Sequence, residues 1–287
     1  MQTNKQTPRF RTGLLGAGIQ LSSSPAMHTD EARALAIDYS YELFDLDLLP
    51  GGLGGFGRVI EQAERDGFAG LNVTFPVKQQ VIPLLHELSP EARVLHAVNT
   101  IVFRDGRRFG HNTDWWGFAE SFKRGLPAAP LGRVALIGAG GAGAAVAFAI
   151  LQLGAQTLCI HDLDTTRAVQ LAERMQAAFP GRALQATGDI AAVMAGVDGI
   201  IHATPMGMAK LPGMAVPEAL LHRQQWVAEV VYVPLETELL KAARRLGCAT
   251  MDGGHMNVGQ ACRAFELFTG EKADIARMDA HFRRLVA

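Results

Sequence analysis

The 287 residues include 48% hydrophobic and 19% charged side chains at a formal net charge of −1. This balance makes a globular chain with a sizeable core, arranged as two domains or one large one. It argues against a nucleic-acid or anionic-membrane partner. The three cysteines, Cys159, Cys248 and Cys262, lack CxxC spacing and read as reduced, structural thiols. The opening "MQTNKQTPRFRTG" has no apolar signal-peptide core, and no run is long enough to span a bilayer. A soluble, cytoplasmic chain is therefore expected. The nine histidines show no HxxxH spacing, so no metal is expected.

The elements alternate. "TGLLGAGI" reads as a strand, "SPAMHTDEARALAI" as a helix, "YSYELFDLD" as a strand, "GGFGRVIEQAERDG" as a helix and "FAGLNVTF" as a strand. That is a βαβαβ opening of the kind that builds parallel sheets. "PVKQQVIPLLHEL" has helical patterning, and "AVNTIVF" and "RRFGHN" flank "RDG" as a hairpin. "TDWWGFAESFKRGLPAAPLGR" reads as a helix ending in a Gly/Pro-rich loop, taken as a domain boundary. Trp115 and Trp116 read as packing residues, since no basic stripe accompanies them.

After the loop, "RVALIGAGGAGAAVAFAILQLGA" is an apolar strand, a glycine turn and an Ala-rich helix, with "TLCIHDLD" as the next strand. Gly138, Gly140 and Gly143 match GxGxxG in the required context, with Asp162 at the end of the following strand. Gly138 permits the tight turn, Gly140 admits a pyrophosphate and Gly143 lets helix and strand pack closely. Further βα units in "GIIHATPMGM", "QWVAEVVYVP" and "LLKAARRLGCATMD" complete a Rossmann-type half. Met206, Met208 and Met256 read as core filler.

In "NVTFPVK", Asn72, Thr74 and Lys78 share one face of an extended segment, although Pro76 favours a strand end or bulge. From this segment alone, Lys78 is either a functional group or an ordinary surface lysine. Ser22 to Ser24 before Pro25 can cap a helix, and Asn99 and Asn112 can be turn residues.

Taken in order, "IQLSSSPAMHT", "NVTFPVK", "AVNT", "GHNTDWWG", "GAGGAG", "ATPMGM", "VVYVPLETELLKAA" and "MNVGQACRAF" resemble the shikimate/quinate dehydrogenases from about Gly13 to Phe268. The resemblance implies an α/β, two-domain chain: an N-terminal substrate domain over 1–118, completed by 255–287, and a Rossmann-type domain over 119–254, with a cleft between them. It implies reversible oxidation of a ring hydroxyl of shikimate, quinate or a close cyclic hydroxy acid, with Lys78 and Asp114 as the acid/base pair meeting across the substrate. Substrate-binding roles fall on Ser22, Ser24, Asn72, Thr74, Asn99, Tyr232 and Gln260. Cofactor-binding roles fall on Gly138, Ala139, Gly140, Gly141, Ala142, Gly143, Asp162, Asp164, Arg167, Thr204, Met206, Val231, Gly253 and Met256. A monomer or homodimer is expected.

Several residues depart from the family pattern: Leu21 for histidine, Thr29 for asparagine, His202 for asparagine, Glu229 for aspartate and Asn257 for leucine. They leave the exact ring acid open. Members using NADP typically show "NRT" where this chain has "DLD". Asp162 therefore favours NAD by bonding a ribose diol and repelling a 2′-phosphate, with Asp164 adding negative charge. Arg167 could instead attract that phosphate, so NADP stays open. The alternatives are another nicotinamide enzyme of similar plan, such as a methylene-folate dehydrogenase, and a ligand-binding protein that has lost catalysis.

Overall fold

Alternation of short apolar runs with amphipathic helices produces two six-stranded sheets in the computed structural model, which describes residues 9–286. The chain divides into two units, one formed by residues up to 113 together with 261–285 and the other by 114–260.

In the first unit the elements are β1 (Phe10–Gly16), α1 (Ser24–Ala34), β2 (Tyr39–Asp45), α2 (Phe56–Arg65), β3 (Gly70–Val73), β4 (Glu87–Leu88), α3 (Pro90–Leu95), β5 (Thr100–Arg104) and β6 (Arg107–His111). The sheet order is β2-β1-β3-β5-β6-β4. Strand β1 pairs in parallel with both β2 and β3, as the βαβαβ opening requires, while β3–β5 and β5–β6 are antiparallel. Leu15, Leu71, Val73 and Ile101 pack with Ile60 and Ala63 of α2 in the core. The expected hairpin forms around Asp105 and Gly106, whose φ of 51° and 68° give the two-residue turn that matches strand twist.

The helix expected over "PVKQQVIPLLHEL" does not form. Strand β3 stops at Val73, turns cover 78–81, and a single 3-10 turn, Ile82–Leu84, leads into β4. Pro83 has no N–H to offer the Gln79 carbonyl, which accepts from Ile82 instead at 3.1 Å. The shared face of Asn72, Thr74 and Lys78 is lost as well, because Phe75 and Pro76 turn the chain before Lys78.

In the second unit, α4 (Asp114–Gly125) precedes β7 (Arg133–Ile137), α5 (Gly141–Gln152), β8 (Thr157–His161), α6 (Thr165–Ala178), β9 (Ala183–Ala186), α7 (Ile190–Met194), β10 (Gly199–His202), β11 (Trp226–Glu229), α8 (Glu238–Leu246) and β12 (Ala249–Met251). Every pairing is parallel, in the order β12-β11-β10-β7-β8-β9. The order reverses between β7 and β10, which opens a crevice at the carboxyl ends of those strands. Helix α5 is buried from Gly143 to Leu151, consistent with its apolar character all round. Trp115 meets Phe148 edge-on at 5.3 Å, so it packs as expected.

Helix α9 (Gly254–Thr269) carries the chain from the second unit back to the first, where α10 (Ile275–Val286) follows. There the guanidinium of Arg277 grips both oxygens of the buried Glu31 of α1, at 2.8 and 2.7 Å. All three cysteines are buried, and burial pushes the thiols of Cys159 and Cys248 up. No helix among the described residues is long and apolar enough to cross a membrane.

Candidate active site

In the first unit, the turn bearing Lys78 is fastened on two sides. Thr74 donates its N–H to Leu15 O at 2.9 Å and Ala17 donates to Phe75 O at 3.0 Å, tying the turn to the exit of β1. On the other side, Val98 donates to Lys78 O at 2.8 Å. Lys78 is thus a half-buried side chain on a braced turn.

Next to it is a buried amide network. Asn72 donates through Nδ2 to Thr100 Oγ1 at 3.1 Å, and its Oδ1 accepts from the Tyr41 hydroxyl at 2.9 Å. Asn99 Oδ1 accepts from the Thr113 N–H at 2.7 Å, and Asn99 Nδ2 donates to Thr113 Oγ1 at 2.9 Å. Asn99 and Asn112 are therefore buried braces, not turn residues. Asn112 holds the Ala97 carbonyl at 3.1 Å, and Asn99 fixes the residue directly before Asp114, which opens α4.

The serines do not cap α1 as a simple helix start. Ser23 occupies the capping position without capping the helix through its side chain, while Ser22 Oγ accepts from the Ser24 N–H at 3.2 Å. Burial holds the Tyr41 phenol above its ordinary range. Behind it lies His28, with Nδ1 at 2.9 Å from the Tyr39 hydroxyl and its ring near Tyr41, Phe265 and Phe268. Burial lowers its pKa to about 3.

The second unit holds a cavity of about 700 Å³ at the β7/β10 switch point, lined among others by Gly138, Gly140, Asp162, Thr204, Met206 and Tyr232. Gly138 has φ +106°, and a Cβ there would lie 2.6 Å from Ala203 O. A Cβ on Gly143 would lie 2.1 Å from Gly138 O, whereas at Gly140 and Gly141 it would meet nothing within 4 Å. The turn thus needs glycine twice for its own packing and leaves open space at the N-terminus of α5, where a phosphate is favoured. Asp162 accepts from the Ala139 N–H at 2.7 Å and the Asp164 N–H at 2.9 Å, which holds its carboxylate at the cavity edge. An open helix N-terminus and an acidic group at the end of the next strand fit the pyrophosphate and ribose of a dinucleotide.

Gly141, Ala142, Arg167 and Val231 also line the cavity; Ala139, Gly143, Asp164, Gly253 and Met256 do not. Asp164 instead caps α6 through the Thr166 N–H at 3.1 Å and pairs with Arg167 at 3.3 Å. Gly253 fits under the carbonyls of Val230 and Val231, where a Cβ would lie 2.4 Å from each oxygen. Met256 is buried filler as expected, but Met206 and Met208 line the cavity, contrary to that expectation. Gln260 donates to Asn257 O at 2.9 Å, on a stretch of α9 so close to α4 that a Cβ on Gly117 would lie 2.4 Å from Gln260 N. Sequence reading missed Tyr41, Thr100 and Thr113, whose partners come from distant segments. It also missed Leu163, 94% exposed on the cavity wall beside Asp162.

A family model described as the shikimate dehydrogenase substrate binding domain matches residues 14–101. The chain is 52% identical to a shikimate dehydrogenase (NADP(+)) of Streptomyces avermitilis, over 96% of each chain. It is 46% identical to a quinate/shikimate dehydrogenase (NAD(+)) of Corynebacterium glutamicum, over 95% of this chain and 98% of that one. The quinate dehydrogenase from Corynebacterium glutamicum in complex with NAD matches its fold at a TM-score of 0.92 and 44% identity, covering 96% of this chain and 99% of that one. Two units of the expected α/β plan and full-length identity at this level place the chain in the shikimate/quinate dehydrogenase family.

Proposed function

We propose that this chain reversibly oxidises one ring hydroxyl of shikimate, quinate or a close cyclic hydroxy acid to the 3-dehydro ketone. NAD is the preferred acceptor. A dinucleotide held by the glycine turn and Asp162 would supply the acceptor for the hydride of the carbinol carbon. Lys78 takes the hydroxyl proton as that hydride leaves and returns it to the forming alkoxide in the reverse direction, with Asp114 as its partner in acid/base work. Binding of the ring hydroxyls and carboxylate is assigned to the neutral polar side chains of Ser22, Ser24, Asn72, Thr74, Asn99, Tyr232 and Gln260. The glycine turn from Gly138 to Gly143 carries the pyrophosphate and Asp162 the adenosine ribose.

The observation that carries this reading is the half-buried Lys78, on a turn whose backbone is tied to β1 and Val98, beside the buried Asn72 and Asn99 amides. Relatives named for NADP and for NAD both occur, so the preference for NAD rests on Asp162. We assign the substrate domain to 1–118 with 255–287 and the nucleotide domain to 119–254, in a cytoplasmic monomer or homodimer without nucleic-acid partners. NADH formation measured across a panel of ring hydroxy acids tests the function. Turnover of at least one such acid is expected. Binding without turnover would instead assign the chain to ligand sensing, and activity confined to folate substrates would assign it to a different chemistry.

A further inference from the structure

Two buried side chains lie behind the cavity walls without lining the cavity. His202 ends β10 at 1% exposure and Glu229 ends β11 at 0%. Glu229 Oε1 accepts the N–H groups of Val230 at 2.9 Å and Val231 at 3.0 Å, and Oε2 accepts the Thr237 hydroxyl at 3.0 Å. An oxygen that gathers backbone donors is an acceptor, so His202 Nδ1, 2.8 Å from Oε1, carries the ring proton. In the neutral ring Nε2 is the acceptor of a hydrogen bond from the Thr204 hydroxyl at 2.6 Å, and Thr204 Oγ1 accepts the Met206 N–H at 3.2 Å. Each polar atom in this relay has one assigned role. The relay ties the loop from Thr204 to Met206 on one wall to the Val230–Val231 backbone on the other.

We propose that His202 and Glu229 are positioning residues for the nicotinamide half of the dinucleotide, acting through Thr204 and the Val230–Val231 backbone without touching it. This rests on the dinucleotide reading above. With the ribose at Asp162 and the pyrophosphate at the start of α5, the rest of the molecule extends toward the walls formed by Thr204, Met206, Val231 and Tyr232. Loosening the relay should therefore weaken contacts to the nicotinamide half and leave the adenosine half alone.

The test compares binding of NADH with binding of ADP-ribose, which lacks the nicotinamide, by fluorescence or calorimetric titration. His202→Leu should weaken NADH roughly tenfold, the scale of losing one or two buried hydrogen bonds, and ADP-ribose by less than about twofold. His202→Asn keeps one donor and one acceptor and should recover most of the loss. Equal loss for both ligands, no loss for NADH, or no recovery with asparagine would overturn the proposal. If His202→Leu does not fold, Thr204→Val should show the same split between ligands, and the lack of that split would overturn the proposal equally. If the unaltered protein binds neither ligand, the dinucleotide reading itself fails and takes the proposal with it.

Discussion

The Tyr41 hydroxyl donates to Asn72 Oδ1 across 2.9 Å, reaching from β2 over β1 to β3. That bond orients one amide of the proposed substrate cradle. Tyr41→Phe removes the donor and leaves a buried carbonyl oxygen short of a partner, which should lower unfolding stability by about 1 to 2 kcal/mol. The KM for the ring acid should rise severalfold while NADH affinity stays level. Urea denaturation and steady-state kinetics would check both, and an unchanged KM would mean that Thr100 alone suffices to orient Asn72.

Lys78→Ala should lower kcat by roughly 10² to 10⁴, the usual contribution of a positioned proton-transfer group, with little change in dinucleotide affinity. The turn should survive, because its fastening to Leu15, Ala17 and Val98 is made entirely by backbone groups. Near-normal kcat in a folded variant would return Lys78 to the status of a surface residue.

Asp162→Asn separates charge from hydrogen bonding. Asparagine can still accept from the Ala139 N–H, so the turn stays braced, while the repulsion toward a 2′-phosphate disappears. The ratio of kcat/KM for NAD over NADP should fall by roughly ten- to a hundredfold, matching about 1 to 3 kcal/mol for a charge-assisted contact. A ratio that does not move would place the discrimination elsewhere, with Arg167 the first residue to mutate.

Two glycines of the same turn should respond in opposite ways to alanine. Gly143→Ala drives a Cβ to 2.1 Å from a backbone carbonyl oxygen, so it should destabilise the fold by about 1 to 3 kcal/mol. Gly140→Ala meets only open space in the protein and should melt normally, yet bind NADH poorly because its methyl group occupies the path of the pyrophosphate. Thermal melts paired with NADH titrations would show the contrast. Normal NADH binding by Gly140→Ala would exclude close approach of the pyrophosphate there.

His28 gives the fold a pH dependence of known sign. Burial lowers its pKa from 6.5 to about 3, so as the pH falls below 6.5 the unfolded chain takes up a proton that the folded chain refuses. Stability should decline by about 1.4 kcal/mol per pH unit from there down to about pH 3, where the folded state protonates too. Between pH 7 and pH 5 the loss from this group is about 2 kcal/mol, and His28→Gln should remove it. Denaturation of both proteins at the two pH values measures the difference. Identical pH sensitivity would assign the effect to other groups.

What could be read in the sequence was what the backbone itself demands. Gly138 and Gly143 are required by a positive φ and a close carbonyl, and the Asp105–Gly106 turn by two positive φ angles, so residue type discloses the geometry. The order of strands and helices followed from apolar runs. "PVKQQVIPLLHEL" misled because Val77, Val81 and Leu84 recur at helical spacing while Pro83 forbids the helix, and periodicity alone does not weigh a missing N–H. Tyr41 and the His202–Glu229 pair were out of reach for another reason: each gains its role only from a partner on a different strand.

The grip of Arg277 on Glu31 bears on how the protein is made. Ribosomal synthesis delivers α1 early, but the guanidinium that neutralises its buried carboxylate is encoded near the other end of the chain. A buried carboxylate without its partner is unfavourable, so the nascent N-terminal region closes its core only at a cost before Arg277 emerges. The 114–260 unit is contiguous and faces no such wait. Vectorial translation therefore favours completion of the nucleotide half first, with closure of the N-terminal half disfavoured until α10 leaves the exit tunnel.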